Sequence, residues 1–170
     1  MKLNLREVIL FGILGALLFV SKVIMEVLPN VHLLALFIVA FTAVFRQKAL
    51  YPITVYVFLQ GLWIGFSTWW IPNLYIWTIL WGMVMLIPQK ASVAVRAVLY
   101  TAAAALHGFL FGTLWAPAQA LLVGLSFEGT LAWIASGLPF DVIHGISNAI
   151  CGFLIMPLVR LLEKLSKKLY

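Results

Sequence analysis

Long apolar stretches, broken by short clusters of Pro, Gly, Asn or charge, set the rhythm of this chain. A bilayer core of roughly 30 Å takes about 20 apolar residues in helical form, and Pro and Gly mark the ends of such runs. Helices are therefore expected over 6–28, 32–45, 49–66, 71–87, 92–114 and 139–162, six spans of an all-α integral membrane protein. Between the fifth and sixth lies 116–137, too apolar for a loop yet interrupted by Pro117, Gly124, Gly129 and Gly137, with Glu128 in its middle. Short re-entrant or interfacial helices are expected there. A seventh span is the rival reading, and it would put the two termini on opposite faces of the membrane. Residues 1–170 read as one membrane domain.

Composition points the same way. Hydrophobic residues make up 65% of the chain and charged residues 9%, with a mean hydropathy of +1.12, whereas a soluble domain carries about 25% charged residues. The first apolar run continues past Phe19 to Leu28, too long for the apolar part of a cleavable signal, and is expected to be the first transmembrane helix. Cys151 has no second cysteine to pair with, which excludes a disulfide within the chain and thiolate metal clusters. The net charge of +6 is scattered between apolar runs and forms no continuous basic patch interleaved with aromatics, so nucleic acid is not the expected partner.

Topology accounts for the charge better. With six spans, Lys2, Arg6, Arg46, Lys48, Lys90, Arg96, Arg160, Lys164, Lys167 and Lys168 fall on one side, ten of eleven cations, and only Lys22 dissents. Lys and Arg accumulate in cytoplasmic segments, so both termini are expected in the cytosol. The opposite, outer end collects Glu26, Asn30, His32, Trp63, Trp69, Trp70, Asn73, Tyr75, Trp115, Gln119, Glu128, Trp133, Asp141 and His144, and function is expected there.

One stretch carries unusual chemistry for a membrane helix: Leu-Pro-Phe-Asp-Val-Ile-His-Gly-Ile-Ser-Asn at 138–148. Residues three and four apart share a helix face, so Asp141, His144 and Asn148 line up together. Ionisable groups inside a bilayer cost roughly 2.5–3.5 kcal/mol each to insert and face a protein interior or a wet cavity. At the start of its helix Asp141 either caps free amides or binds ligand. His144 and Asn148 lie deeper, where capping cannot explain them, and are the stronger candidates for a cavity wall.

The other candidates each have a structural alternative. Lys22 and Glu26, four apart, form either an ion pair near the interface or a ligand-holding pair beside Asn30 and His32. Trp63, Trp69, Trp70, Tyr75 and Trp77 serve an interfacial belt, a pocket wall that stacks on a planar ligand, or both. Asn73 joins this outer set. His107 reads first as an interhelical hydrogen-bonding residue. Metal binding is weakly supported, because His32, His107 and His144 sit on three spans at unlike expected depths. Gly12, Gly15 and Ala16 give the first helix a small-residue face, for packing within the bundle or for docking a separate membrane subunit.

Enzymatic chemistry finds little footing. There is no Gly-x-Ser-x-Gly elbow, no His-Glu-x-x-His pair and no Walker-type phosphate loop, so ATP hydrolysis is not expected of this chain, nor is a bound cofactor. An intramembrane enzyme with His144 as base would lack a nucleophile.

Over its whole length the chain resembles the substrate-binding S components of energy-coupling factor (ECF) vitamin transporters. The resemblance rests on the six-span pattern, the small-residue face of the first helix, the 138–148 stretch, and the closing Met-Pro-Leu-Val-Arg-Leu-Leu-Glu-Lys-Leu at 156–165. The family's docking motif usually has alanine at both small positions, where this chain has Gly12 and Ala16. The resemblance implies a multi-pass protein of a bacterial-type plasma membrane. It also implies a ligand at the outer end, covered by the loop at 28–32 and taken inward with a membrane scaffold (T) component and two cytosolic ATPases. Abundant Trp and Tyr with few charges favour a ligand with a flat ring system. The alternative is a stand-alone secondary carrier or channel with Asp141 and His144 as a proton relay, although the repeated halves common in carriers are not evident.

Overall fold

The computed structural model describes residues 3–167, whose regular elements are all helical, with no strand among them. Lys2 and Lys168, two of the cations used to orient the chain, lie outside the described residues. Eight α-helices follow in order: α1 (Leu5–Ile24), α2 (Leu34–Phe45), α3 (Leu50–Ile64), α4 (Asn73–Met85), α5 (Val93–Phe109), α6 (Phe111–Val123), α7 (Phe127–Cys151) and α8 (Ile155–Ser166). Short 3-10 turns extend α1 over Met25–Val27, join α2 to α3 over Arg46–Ala49, and join α7 to α8 over Gly152–Leu154.

Local chemistry fixes the ends. Asn4 caps α1 by accepting from the Glu7 amide at 2.9 Å, and Glu7 reaches back to the Asn4 amide at 3.2 Å, so two otherwise free donors are satisfied reciprocally. The buried Glu7 carboxylate also pairs with Lys48, which ties the start of α1 to the start of α3. Gly15 lets the same two helices approach closely: a Cβ there would lie 2.5 Å from the Val55 side chain and 2.9 Å from the Pro52 carbonyl oxygen.

α2 is the core of the bundle. Nine of its twelve residues are buried, as expected of a helix that is hydrophobic on every side. It packs against α4 and α8, with lesser contacts to α1 and α5. At its end Arg46 adopts φ +54°, a conformation that costs a side-chain-bearing residue energy. Two bonds hold it there: the Arg46 guanidinium donates to the Met85 carbonyl at 2.8 Å, and Trp81 Nε1 donates to the Arg46 carbonyl at 3.1 Å.

Three helical runs are long and apolar enough to cross a membrane, Leu5–Val27, Leu34–Ile64 and Phe127–Ser166, and a fourth is counted if Val93–Phe109 and Phe111–Val123, bent by 41°, are one span. Asn73–Met85 is apolar but shorter. The Leu34–Ile64 run doubles back at Arg46, because Leu34 and Ile64 border one and the same cavity. Its arms of twelve and fifteen residues are then about 18 and 22 Å long.

The expected boundaries fail in one region. Residues 116–137 do not form separate short helices; they complete α6 and supply the first half of α7. Pro139 lies inside α7 and does not begin a helix. In apolar surroundings no water stands ready to take over broken backbone bonds, so a helix tends to run on through a proline at the cost of one hydrogen bond. The breaks fall instead at Leu110, where α5 bends into α6, and at Gly124, whose φ of +75° closes α6 in a left-handed cap.

Candidate functional site

A cavity of about 270 Å³ opens where six helices meet at one end of the bundle. Lys22 reaches it from α1, Asn30 and His32 from the following link, and Leu34 from the start of α2. Tyr56, Gln60 and Ile64 come from the last turns of α3, Trp69, Asn73 and Trp77 from the approach to α4 and its first turns, Phe111 and Trp115 from α6, and His144 from α7. The basic connections at Arg46–Lys48 and Lys90 lie at the other ends of these helices.

Trp77 anchors the wall. It is 2% exposed, and its Nε1 donates to Asn73 Oδ1 at 3.0 Å, one helical turn back. Around it stand the rings of His32 (5.9 Å, edge-on), Tyr56 (5.9 Å, edge-on), His107 (5.6 Å) and Phe111 (5.7 Å). His144 closes the circle, 4.4 Å from the His32 ring and 4.6 Å from Phe111. The three histidines thus converge, contrary to the unlike depths expected. His107, however, sets its Nε2 3.1 Å from the Ile76 carbonyl, where an N–H donates across from α5 to α4, in keeping with a structural role. Among the described residues no group of three or more His, Cys, Asp or Glu is placed to hold a metal ion.

Three residues of the cavity wall each carry a buried polar atom without a hydrogen-bond partner among the described residues: His32 Nδ1, Gln60 Oε1 and His144 Nε2. Such an atom costs ~1–3 kcal/mol, and native proteins retain few of them. Burial holds the His32 imidazole well below its ordinary value, and the neighbouring charges of His144 and Lys22 push it further the same way. Charge on the wall is sparse: Lys22 is its one formally charged residue, and its Nζ lies 3.4 Å from Glu26.

Of the residues expected at the site, Lys22, Asn30, His32, Asn73, Trp77 and His144 are brought together, and the others are placed elsewhere. Asp141 is a cap, but not of its own helix. Lying mid-way along α7, it accepts from the Gly112 amide at 2.9 and 3.1 Å, in the first turn of α6. Asn148 donates to the Ala104 carbonyl at 3.0 Å, a cross-tie from α7 to α5 rather than a cavity group. Trp63 is 59% exposed and meets only Phe19 edge-on among ring partners, as a belt residue would. Trp70 donates to the Val57 carbonyl at 2.8 Å and Tyr75 to the Leu114 carbonyl at 2.8 Å, so both spend their polar ends on neighbouring helices. Glu26 stands behind Lys22 and off the wall.

On the first helix the small residues divide. Gly15 is consumed by α3, whereas a Cβ on Gly12 would meet nothing within 4 Å, and Ala16 is half-buried. Sequence reasoning missed Tyr56, Gln60 and Phe111 and set Trp69 and Trp115 aside. Gln60 carried a usable signal, since it is a lone amide in an apolar helix, on the same face as Tyr56 four residues earlier. No family model, curated protein or solved structure matches this chain.

Proposed function

We propose that this chain is the substrate-binding membrane subunit of an ECF-type importer. It captures a vitamin or related micronutrient with a planar ring system at the outer face and delivers it inward with a scaffold subunit and two ATPases. The observation that carries this reading is the aromatic cavity with three unpartnered buried polar atoms, at the end of the bundle remote from the basic connections. Orientation by the positive-inside rule then makes that end extracellular and both termini cytosolic. Six membrane passes follow if α2 and α3 each cross with α1, α4, the α5–α6 pair and α7–α8, the short arms being matched by local bilayer thinning.

An importer of this kind divides its labour. This chain supplies recognition, its partners supply ATP hydrolysis, and the half-open surface of α1 at Gly12 and Ala16 is where a membrane scaffold would approach. A stand-alone carrier with an Asp141–His144 proton relay receives less support. The Asp141 carboxylate is engaged by Gly112 and does not border the cavity that His144 borders.

Affinity isolation of the full chain from its native membrane, followed by native mass spectrometry, tests the proposal. The expected result is a complex with one scaffold subunit, two ATPase subunits and a bound small molecule. Proton-coupled uptake by the purified chain alone in liposomes, with no partners recovered, would refute it.

A further inference from the structure

Resting on the binding-site reading above, we infer that the cavity takes an uncharged, planar nitrogen heterocycle of one or two fused rings, gripped along its edge by Gln60, His144 and His32. Three features of the wall converge on this class.

The first is charge. A carboxylate or phosphate taken out of water needs a cation of its own, and the only one on the wall, Lys22, already shares its charge with Glu26 at 3.4 Å. Among the described residues no carboxylate borders the cavity to meet a cationic ligand. The second is the set of unpartnered atoms. Gln60, His32 and His144 line the cavity, are 7%, 8% and 2% exposed, and each carries one unsatisfied buried polar atom. An amide oxygen only accepts, so the ligand must bring an N–H or O–H to Gln60. A neutral imidazole offers one donor and one acceptor, which suits the alternating ring nitrogens, N–H groups and carbonyls along a heterocycle's edge. The third is shape. Trp77, Phe111 and Trp115 line the cavity with rings of the kind that stack on a planar ligand, and about 270 Å³ lies just under the roughly 300–1,000 Å³ of drug-sized sites. That volume admits one ring or two fused rings and excludes a macrocycle.

The test uses the purified full chain in lipid nanodiscs. Denaturing extraction with mass spectrometry identifies any compound carried through purification. Tryptophan fluorescence titration then compares two matched probe pairs, nicotinamide against nicotinate and pterin against pterin-6-carboxylate. The expected outcome is an extracted compound uncharged at neutral pH, or a preference of at least about tenfold for the neutral member of a pair. Gln60→Leu should weaken that ligand at least about tenfold. An anionic or cationic extracted compound, a preference for the charged member of a probe pair, or unchanged affinity in a folded Gln60→Leu overturns the inference while sparing the binding-site reading. Should Gln60→Leu fail to fold, extraction and the probe pairs decide alone. If nothing is extracted and no probe binds, the binding-site reading falls and the inference with it.

Discussion

Replacing Asp141 by leucine removes the one side chain seen to cap α6. The helix begins at Leu110, which supplies no side-chain cap, and the Gly112 amide is satisfied by the Asp141 carboxylate at 2.9 and 3.1 Å. Loss of a hydrogen bond to a charged group costs ~1.5–3 kcal/mol, and loss of a helix cap ~0.5–2 kcal/mol. These describe one interaction from two sides and do not add, so about 2 kcal/mol is expected. The cost of inserting an acid into a bilayer, roughly 2.5–3.5 kcal/mol, does not offset this, because a chain unfolded within a micelle or bilayer keeps the acid inserted and the cost cancels between states. For a chain of this size the thermal midpoint should fall by about 4–8 °C. Asp141→Asn keeps one acceptor oxygen and should lose about half as much. The assay is thermal unfolding of the purified variants in one detergent, followed by tryptophan fluorescence. Because Phe111 and Trp115 ride on α6, Asp141→Leu should also weaken any ligand bound in the cavity. An Asp141→Leu midpoint within about 1 °C of the parent would refute the capping role.

Four further substitutions probe the bundle. A Cβ at Gly108 would lie 2.8 Å from both Gly145 Cα and Asn148 Nδ2, so Gly108→Ala should cost about 1–3 kcal/mol, read as a lower thermal midpoint; no change would mean that α5 and α7 do not touch there. Gly15→Leu should destabilise similarly through Val55 and Pro52, whereas Gly12→Leu, with open space around it, should leave the midpoint unchanged and abolish recovery of the scaffold subunit. Equal loss of stability in both would contradict the division of the small-residue face. His32 is held below its ordinary value of about 6.5, so the unfolded chain takes up the proton more readily. Its contribution is complete above about pH 6.5 and declines as pH falls. The midpoint should drop between pH 7.5 and 5, and less so in His32→Gln; identical slopes would show that His32 does not titrate on unfolding.

Periodicity and punctuation located α1 to α5 in outline, because an apolar run bounded by Pro, Gly or charge leaves the backbone few other ways to satisfy itself. They misplaced 116–137 because the rule that proline ends a helix assumes that water waits to take the freed carbonyl. The site was legible where polar residues stand out in or beside apolar helices, as Lys22, His32 and His144 do. It was illegible where the partner is distant in sequence: nothing in 138–148 announces that Asp141 is spent on Gly112 or Asn148 on Ala104. Aromatics were the least decided class. Trp69 and Trp70 are adjacent, yet one borders the cavity and the other bonds to Val57.

The cavity walls are borrowed from the ends of α1, α2, α3, α4, α6 and from the middle of α7. A molecule seated there acts as a removable cross-link among segments that no disulfide within the chain ties to one another. At a hundredfold excess over its dissociation constant it would add about 2.7 kcal/mol to the stability of the whole bundle. Release is then inseparable from loosening. A partner that prises any one of these helix ends outward weakens the grip of all the others at once, so mechanical work delivered far from the ligand can empty the cavity.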